Sequence, residues 1–77
     1  MRGLADIHLE VRGSDIIVDL PGTSYTVTYH KPAVSPQLLA AYLPAKNDAR
    51  TGLTQAEFLA RAWRLANDKA RELDWIV

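Results

Sequence analysis

The sequence predicts an α+β domain in the order βββαα: a three-stranded antiparallel meander packed against a long C-terminal helix, with one short helix closing an end. Three observations predict it. Apolar residues alternate with polar ones through most of the first thirty positions. A capping box stands at Thr54 to Glu57. From Leu53 to Ile76 the apolar residues recur with helical period and without a break.

In the first strand, Asp6 to Arg12, Ile7, Leu9 and Val11 share one face, and Asp6, His8, Glu10 and Arg12 share the other. Gly13-Ser14 fits a two-residue hairpin turn with glycine at its first central position. That turn fixes the register: Arg12 faces Asp15, Val11 faces Ile16, Leu9 faces Val18, and Ile7 faces Leu20. Pro21-Gly22-Thr23-Ser24 is the second turn, a four-residue loop, because proline forbids the positive φ that a tight hairpin needs first. Tyr25, Val27 and Tyr29 continue the inward set, while Thr26, Thr28 and His30 point out. Three strands with one apolar face need a cover.

Ser35-Pro36 reads as a helix start, and Leu38, Leu39, Tyr42 and Leu43 give that helix a short apolar face before Pro44 ends it. Ala45 to Thr51 is polar and is expected to be the most mobile internal segment. In the long helix Phe58, Leu59, Ala62, Trp63, Leu65, Ala66, Ala70, Leu73 and Ile76 form one broad stripe. Arg61, Arg64, Asn67, Asp68, Arg71 and Glu72 lie opposite. Glu57 with Arg61, and Arg64 with Asp68, stand at ion-pair spacing. Lys69 interrupts the stripe, its methylene stem able to lie along apolar surface.

Length and composition set bounds. The 77 residues make one domain with a thin core, and without cysteine no disulfide or thiolate zinc site supplements it. Self-association is one remaining supplement. Nine basic and nine acidic residues give zero formal net charge, so no long-range field selects a polyanion. Met1 to Asp6 lacks an apolar stretch of signal-peptide length, and no apolar run reaches the roughly 20 residues of a membrane span. The expectation is a soluble cytoplasmic protein with no membrane contact.

Thr54 to Arg61, with Leu53 ahead of it, resembles the first helix of a repressor-type helix-turn-helix. The pattern departs from that family at Trp63 to Asn67, which continue the helix where a tight turn is required, so nucleic acid is not the expected partner. Gly52 and Glu57 stand five apart where a calcium loop needs six, and Ala49 and Thr51 fall on ligand positions. His8, Asp19 and Ser24 or Thr26 line the outward face, but the strand order puts Asp19 between His8 and the hydroxyl. The reading there is a cross-strand His8–Asp19 pair on a solvated sheet, with too few ligands for a metal.

Two candidate surfaces remain. Lys46, Asn47, Arg50 and Thr54 precede or open the long helix, where free N–H groups favour an anion such as phosphate unless Thr54 and Glu57 already use those donors. Ile17 is the one apolar residue on the outward face of the central strand. With Thr26 and Thr28 it marks a surface for a second copy of the chain or a partner protein. Trp63 is expected in the core, and Trp75 on the polar side of the helix as a further contact. The expected function is a small non-enzymatic interaction or regulatory module with a protein partner, a homodimer among the options, and no catalytic set, metal or cofactor. The alternative is a small-ligand or anion binder at the loop before the long helix.

Overall fold

The structure is a computed structural model, describing residues 7–44 and 46–76. Asp6 and Ala45, where the predicted first strand and polar loop begin, lie outside the described residues, as does the stretch from Met1. The fold is α+β. Its elements are β1 (His8–Arg12), β2 (Asp15–Asp19), β3 (Thr26–His30), β4 (Leu39–Ala41) and α1 (Gln55–Glu72). The four strands form one antiparallel sheet in the order β1-β2-β3-β4.

The meander follows the alternation of its side chains. Leu9 pairs with Val18, Val11 with Ile16 and Arg12 with Asp15, the register that the Gly13-Ser14 turn demands. Gly13 has φ 60° and Ser14 does not, as a turn with glycine first requires. Between β2 and β3, Leu20 N–H donates to the Tyr25 carbonyl at 3.0 Å, which leaves Pro21 to Ser24 as a four-residue loop. Ile16, Val18, Leu20, Tyr25, Val27 and Tyr29 are buried on the inner face.

The predicted short helix is instead the fourth strand. The Ser35 hydroxyl accepts from the Gln37 N–H two residues on at 3.2 Å, a local turn that competes with helix capping. Leu39 then pairs with His30, Ala40 with Tyr29 and Ala41 with Thr28. A helix of two turns has little stability of its own, and β3 would otherwise leave a row of backbone groups unpaired. Pairing overrides the local preference of Leu-Leu-Ala-Ala, and of its apolar residues Leu38 alone joins the core. β3 is therefore an inner strand, and His30 does not lie on a sheet edge.

The long helix starts where the sequence places it. Thr54 Oγ1 accepts from Glu57 N–H at 3.1 Å, and the Glu57 carboxylate accepts from Thr54 N–H at 2.9 Å. Replacing Thr54 with alanine removes the first of these bonds and is expected to cost about 1 kcal/mol, read as a lower denaturant midpoint with unchanged slope. An unchanged midpoint would show that this cap does not hold the helix.

The buried seam of α1 is narrower than the predicted stripe. Phe58, Ala62, Ala66 and Ala70, spaced by four, are fully covered. Leu59 is half-buried, whereas Trp63, Leu65 and Leu73 are exposed. Three alanines let the helix lie close over β2 and β3, and the aromatic rings of the sheet fill the space. Tyr25 stacks on Phe58 with centroids 5.1 Å apart, and Tyr29 meets Trp63 at 5.6 Å. On the polar side the pairs that form are Lys69 with Glu72 at 3.1 Å and Arg71 with Asp68 at 3.3 Å. The anticipated Arg64–Asp68 pair is displaced by the latter, and the Glu57 carboxylate is committed to the cap.

The helix ends in a Schellman motif. Asp74, at φ 62°, occupies the left-handed position; its N–H donates to the Arg71 carbonyl at 3.1 Å, and Trp75 N–H to the Ala70 carbonyl at 2.8 Å. The chain thus turns back before Trp75. The indole is half-buried and packs on the core, where a continued helix would have left it among polar residues.

Candidate functional site

The loop before α1 is tied to the rest of the fold by a carboxylate that the sequence reading did not single out. Asp48 sits with its side chain 6% exposed. Its Oδ2 accepts from Ser24 N–H at 2.6 Å and from Arg50 Nη2 at 2.7 Å; its Oδ1 accepts from Arg50 N–H at 2.9 Å and from Arg50 Nε at 3.0 Å. Asp48 N–H donates to the Tyr25 hydroxyl at 2.9 Å, and that hydroxyl donates to the Leu53 carbonyl at 2.8 Å. The Arg50 guanidinium, with backbone donors from Arg50 and Ser24, holds the Asp48 carboxyl far below the usual carboxylate range. Through its carboxylate and its backbone N–H together, Asp48 joins the β2–β3 loop, a core tyrosine and the entry to the helix. A segment expected to be the most mobile is thereby held at several points.

The four candidate anion-binding residues cluster at this entry, and three of them already have acceptors or donors within the chain. Arg50 is bound to Asp48. Asn47 Oδ1 accepts from Gln55 N–H at 2.8 Å. Thr54 is engaged in the capping box, and its amide and hydroxyl hold the Glu57 carboxyl below its ordinary value. Lys46 is exposed. The helix start thus satisfies Thr54, Gln55 and Glu57 N–H groups with oxygens of its own chain.

On the outward sheet face the register sets out rows of side chains. His8, Asp19 and Thr26 form one row, Glu10, Ile17, Thr28 and Ala41 the next, and Arg12, Asp15, His30 and Leu39 a third. His8 Nδ1 donates to Asp19 at 2.9 Å, and Asp19 stands between His8 and Thr26 as the strand order requires. A second pair went unread: His30 Nδ1 donates to Asp15 at 2.7 Å. Arg12 reaches Glu10 at 2.5 Å. Ile17 is half-buried among these polar groups, with Thr28 half-buried beside it and Thr26 exposed. Among the described residues no three acidic or histidine side chains converge as metal ligands.

Further exposed apolar side chains flank β4, with Leu39 on the outward face in the row of His30. Leu39 is 54% exposed, Tyr42 82% and Leu43 54%, and Trp63 of the neighbouring helix is 46% exposed. Trp63 packs on Tyr29, whose cross-strand neighbour is Ala40, so the indole and β4 flank the same stretch of inner face. Tyr42 holds φ 55°, a left-handed conformation that is costly for a bulky side chain. Helical spacing predicts an inward apolar face for Leu39, Tyr42 and Leu43, whereas the strand and the residues after it leave all three exposed.

No helix among the described residues is long and apolar enough to cross a membrane. Compared with protein-family models, curated proteins and solved structures, the chain matches none.

Proposed function

We propose that the chain acts as a small non-enzymatic interaction module and that it contacts its partner through the free edge of β4, the partner being a second copy of the same chain. The observation that carries this reading is the contrast between the two sheet edges. β1 carries His8, Glu10 and Arg12, the charged guard that discourages strand addition. β4 carries Leu-Ala-Ala, with Leu39 exposed in the strand and Tyr42 and Leu43 exposed directly after it. An unguarded edge beside apolar side chains favours a strand from outside, because main-chain hydrogen bonds supply affinity and the side chains add burial. Zero formal net charge removes electrostatic repulsion between copies. A two-fold axis suits this contact, since antiparallel pairing of β4 with β4 uses one surface twice and closes. The strained, exposed Tyr42 ring gains a reason for its conformation if it packs across that axis.

The β4 edge is favoured over the part of the outward face around Ile17, which two His–Asp pairs and an Arg–Glu pair keep hydrated. The anion reading has less support, since most of its donors already bond within the chain.

Sedimentation equilibrium across a concentration series tests the proposal. Wild type is expected to dimerise reversibly, and Leu39→Lys to remain monomeric, because the new ammonium guards the edge. Ile17→Lys should dimerise as wild type does. A wild type that stays monomeric at millimolar concentration removes the homodimer, and a dimer sensitive to Ile17→Lys alone moves the interface to the outward face.

A further inference from the structure

At the far end of the core from the capping box, a cleft of about 330 Å³ is lined by Gly13, Ser14, Lys31, Pro32, Ala33 and Trp75. We propose that it binds a small ligand with one flat apolar ring and one carboxylate. Its position follows from the fold: the β1–β2 turn and the end of β3 meet there, joined by a bond from Lys31 N–H to the Ser14 carbonyl at 3.0 Å. The returning C-terminal segment brings in the indole as the third wall.

Each wall contributes a distinct property. Trp75 is fixed, since its own N–H closes the Schellman motif and its ring packs on the core, so the aromatic surface is pre-formed. Pro32 and Ala33 add apolar surface without side-chain donors. The space beside Gly13 is open, for a Cβ built there meets no atom within 4 Å. The volume is at the small end of the range for ligand pockets, roughly 300 to 1,000 Å³, which suits a single ring.

Charge decides the class of ligand. Among the described residues Lys31 is the only charged one lining the cleft. Among the described residues it has no carboxylate partner, and its ammonium donates to the Pro32 carbonyl at 2.7 Å. Two ammonium protons remain for an incoming group. A carboxylate placed there forms a charge-assisted bond while its ring lies on the indole, which neither phosphate alone nor a neutral ring does.

The test is a titration of the intact chain with benzoate, benzyl alcohol and inorganic phosphate, followed in amide proton–nitrogen correlation spectra. Benzoate is expected to shift the Trp75 indole N–H together with the Ser14, Lys31 and Ala33 amides, saturably, and more tightly than either other probe. Lys31→Met should weaken benzoate by about tenfold or more, the loss of one charge-assisted bond, and leave benzyl alcohol unchanged. Lys31→Arg should retain most of the affinity. The proposal is overturned if benzoate moves no group of resonances at the cleft, or if benzyl alcohol or phosphate binds there equally well. Should Lys31→Met fail to fold, the comparison of the three probes on wild type still decides between these outcomes.

Discussion

Phe58→Ala is expected to destabilise the domain by roughly 3 to 5 kcal/mol. Phe58 is completely buried and is the one large side chain on a helix seam otherwise made of Ala62, Ala66 and Ala70. Those alanines have no reach with which to fill the space. The ring also stacks on Tyr25, whose hydroxyl supports both Asp48 and Leu53, so the cavity opens beside the group that seats the helix start. Total stabilities of domains are about 5 to 15 kcal/mol, and a chain of this length belongs at the lower end, so the variant should be largely unfolded in mild urea. Arg64→Ala, on the exposed face, should stay within about 0.5 kcal/mol of wild type. Urea melts rank the two. The reverse ranking would contradict the assignment of helix faces.

Asp48→Asn should destabilise the protein at neutral pH, and the deficit should vanish in acid. The amide keeps the shape but removes the charge facing Arg50, and one of its two acceptor oxygens becomes a donor aimed at donors. The direction with pH follows from linkage. The folded Asp48 carboxyl lies far below the ordinary value of about 3.9, so the folded state holds it unprotonated more strongly than the unfolded chain does. Its contribution is therefore fully present above about pH 4 and is lost progressively as pH falls below that value towards the depressed folded value. Thermal melts of wild type and Asp48→Asn should differ by a constant amount from neutral pH down to about pH 5 and converge below pH 4. A difference independent of pH down to strong acid would mean that the carboxylate charge contributes nothing and that only its shape matters.

What could be read from sequence was whatever a local period encodes. The β1–β2 register followed from alternation plus one glycine, and the start of α1 followed from Thr54 and Glu57, four residues apart at most from the groups they bind. The parts that were not legible depend on distant neighbours. Leu39 to Ala41 has helix-forming composition, and only the unpaired side of β3 makes it a strand. The helix stripe is amphipathic over a wide arc, but α1 lies chiefly over β2 and β3, which fully covers a narrow seam and leaves Trp63, Leu65 and Leu73 at its flanks. Asp48 carried a local signal, since aspartate two residues before an amide favours a turn. Its bonds to Ser24 and Tyr25 span more than twenty positions and had no such signal. The His8–Asp19 pair was legible because both residues lie on strands joined by a fixed turn. His30–Asp15 needed the same reasoning carried one hairpin further.

Edge pairing is most directly tested by amide spectra and hydrogen exchange of the wild-type protein as its concentration is raised. If β4 pairs with β4 of a second copy, resonances of Leu39 to Leu43 and the Trp63 indole should move together with concentration. The amides of Leu39 to Ala41 that point away from β3 should exchange more slowly in the same series, while Glu10, Ile17 and Thr28 stay fixed. Spectra and exchange rates independent of concentration up to the millimolar range, or changes confined to the face of Ile17, would contradict the account.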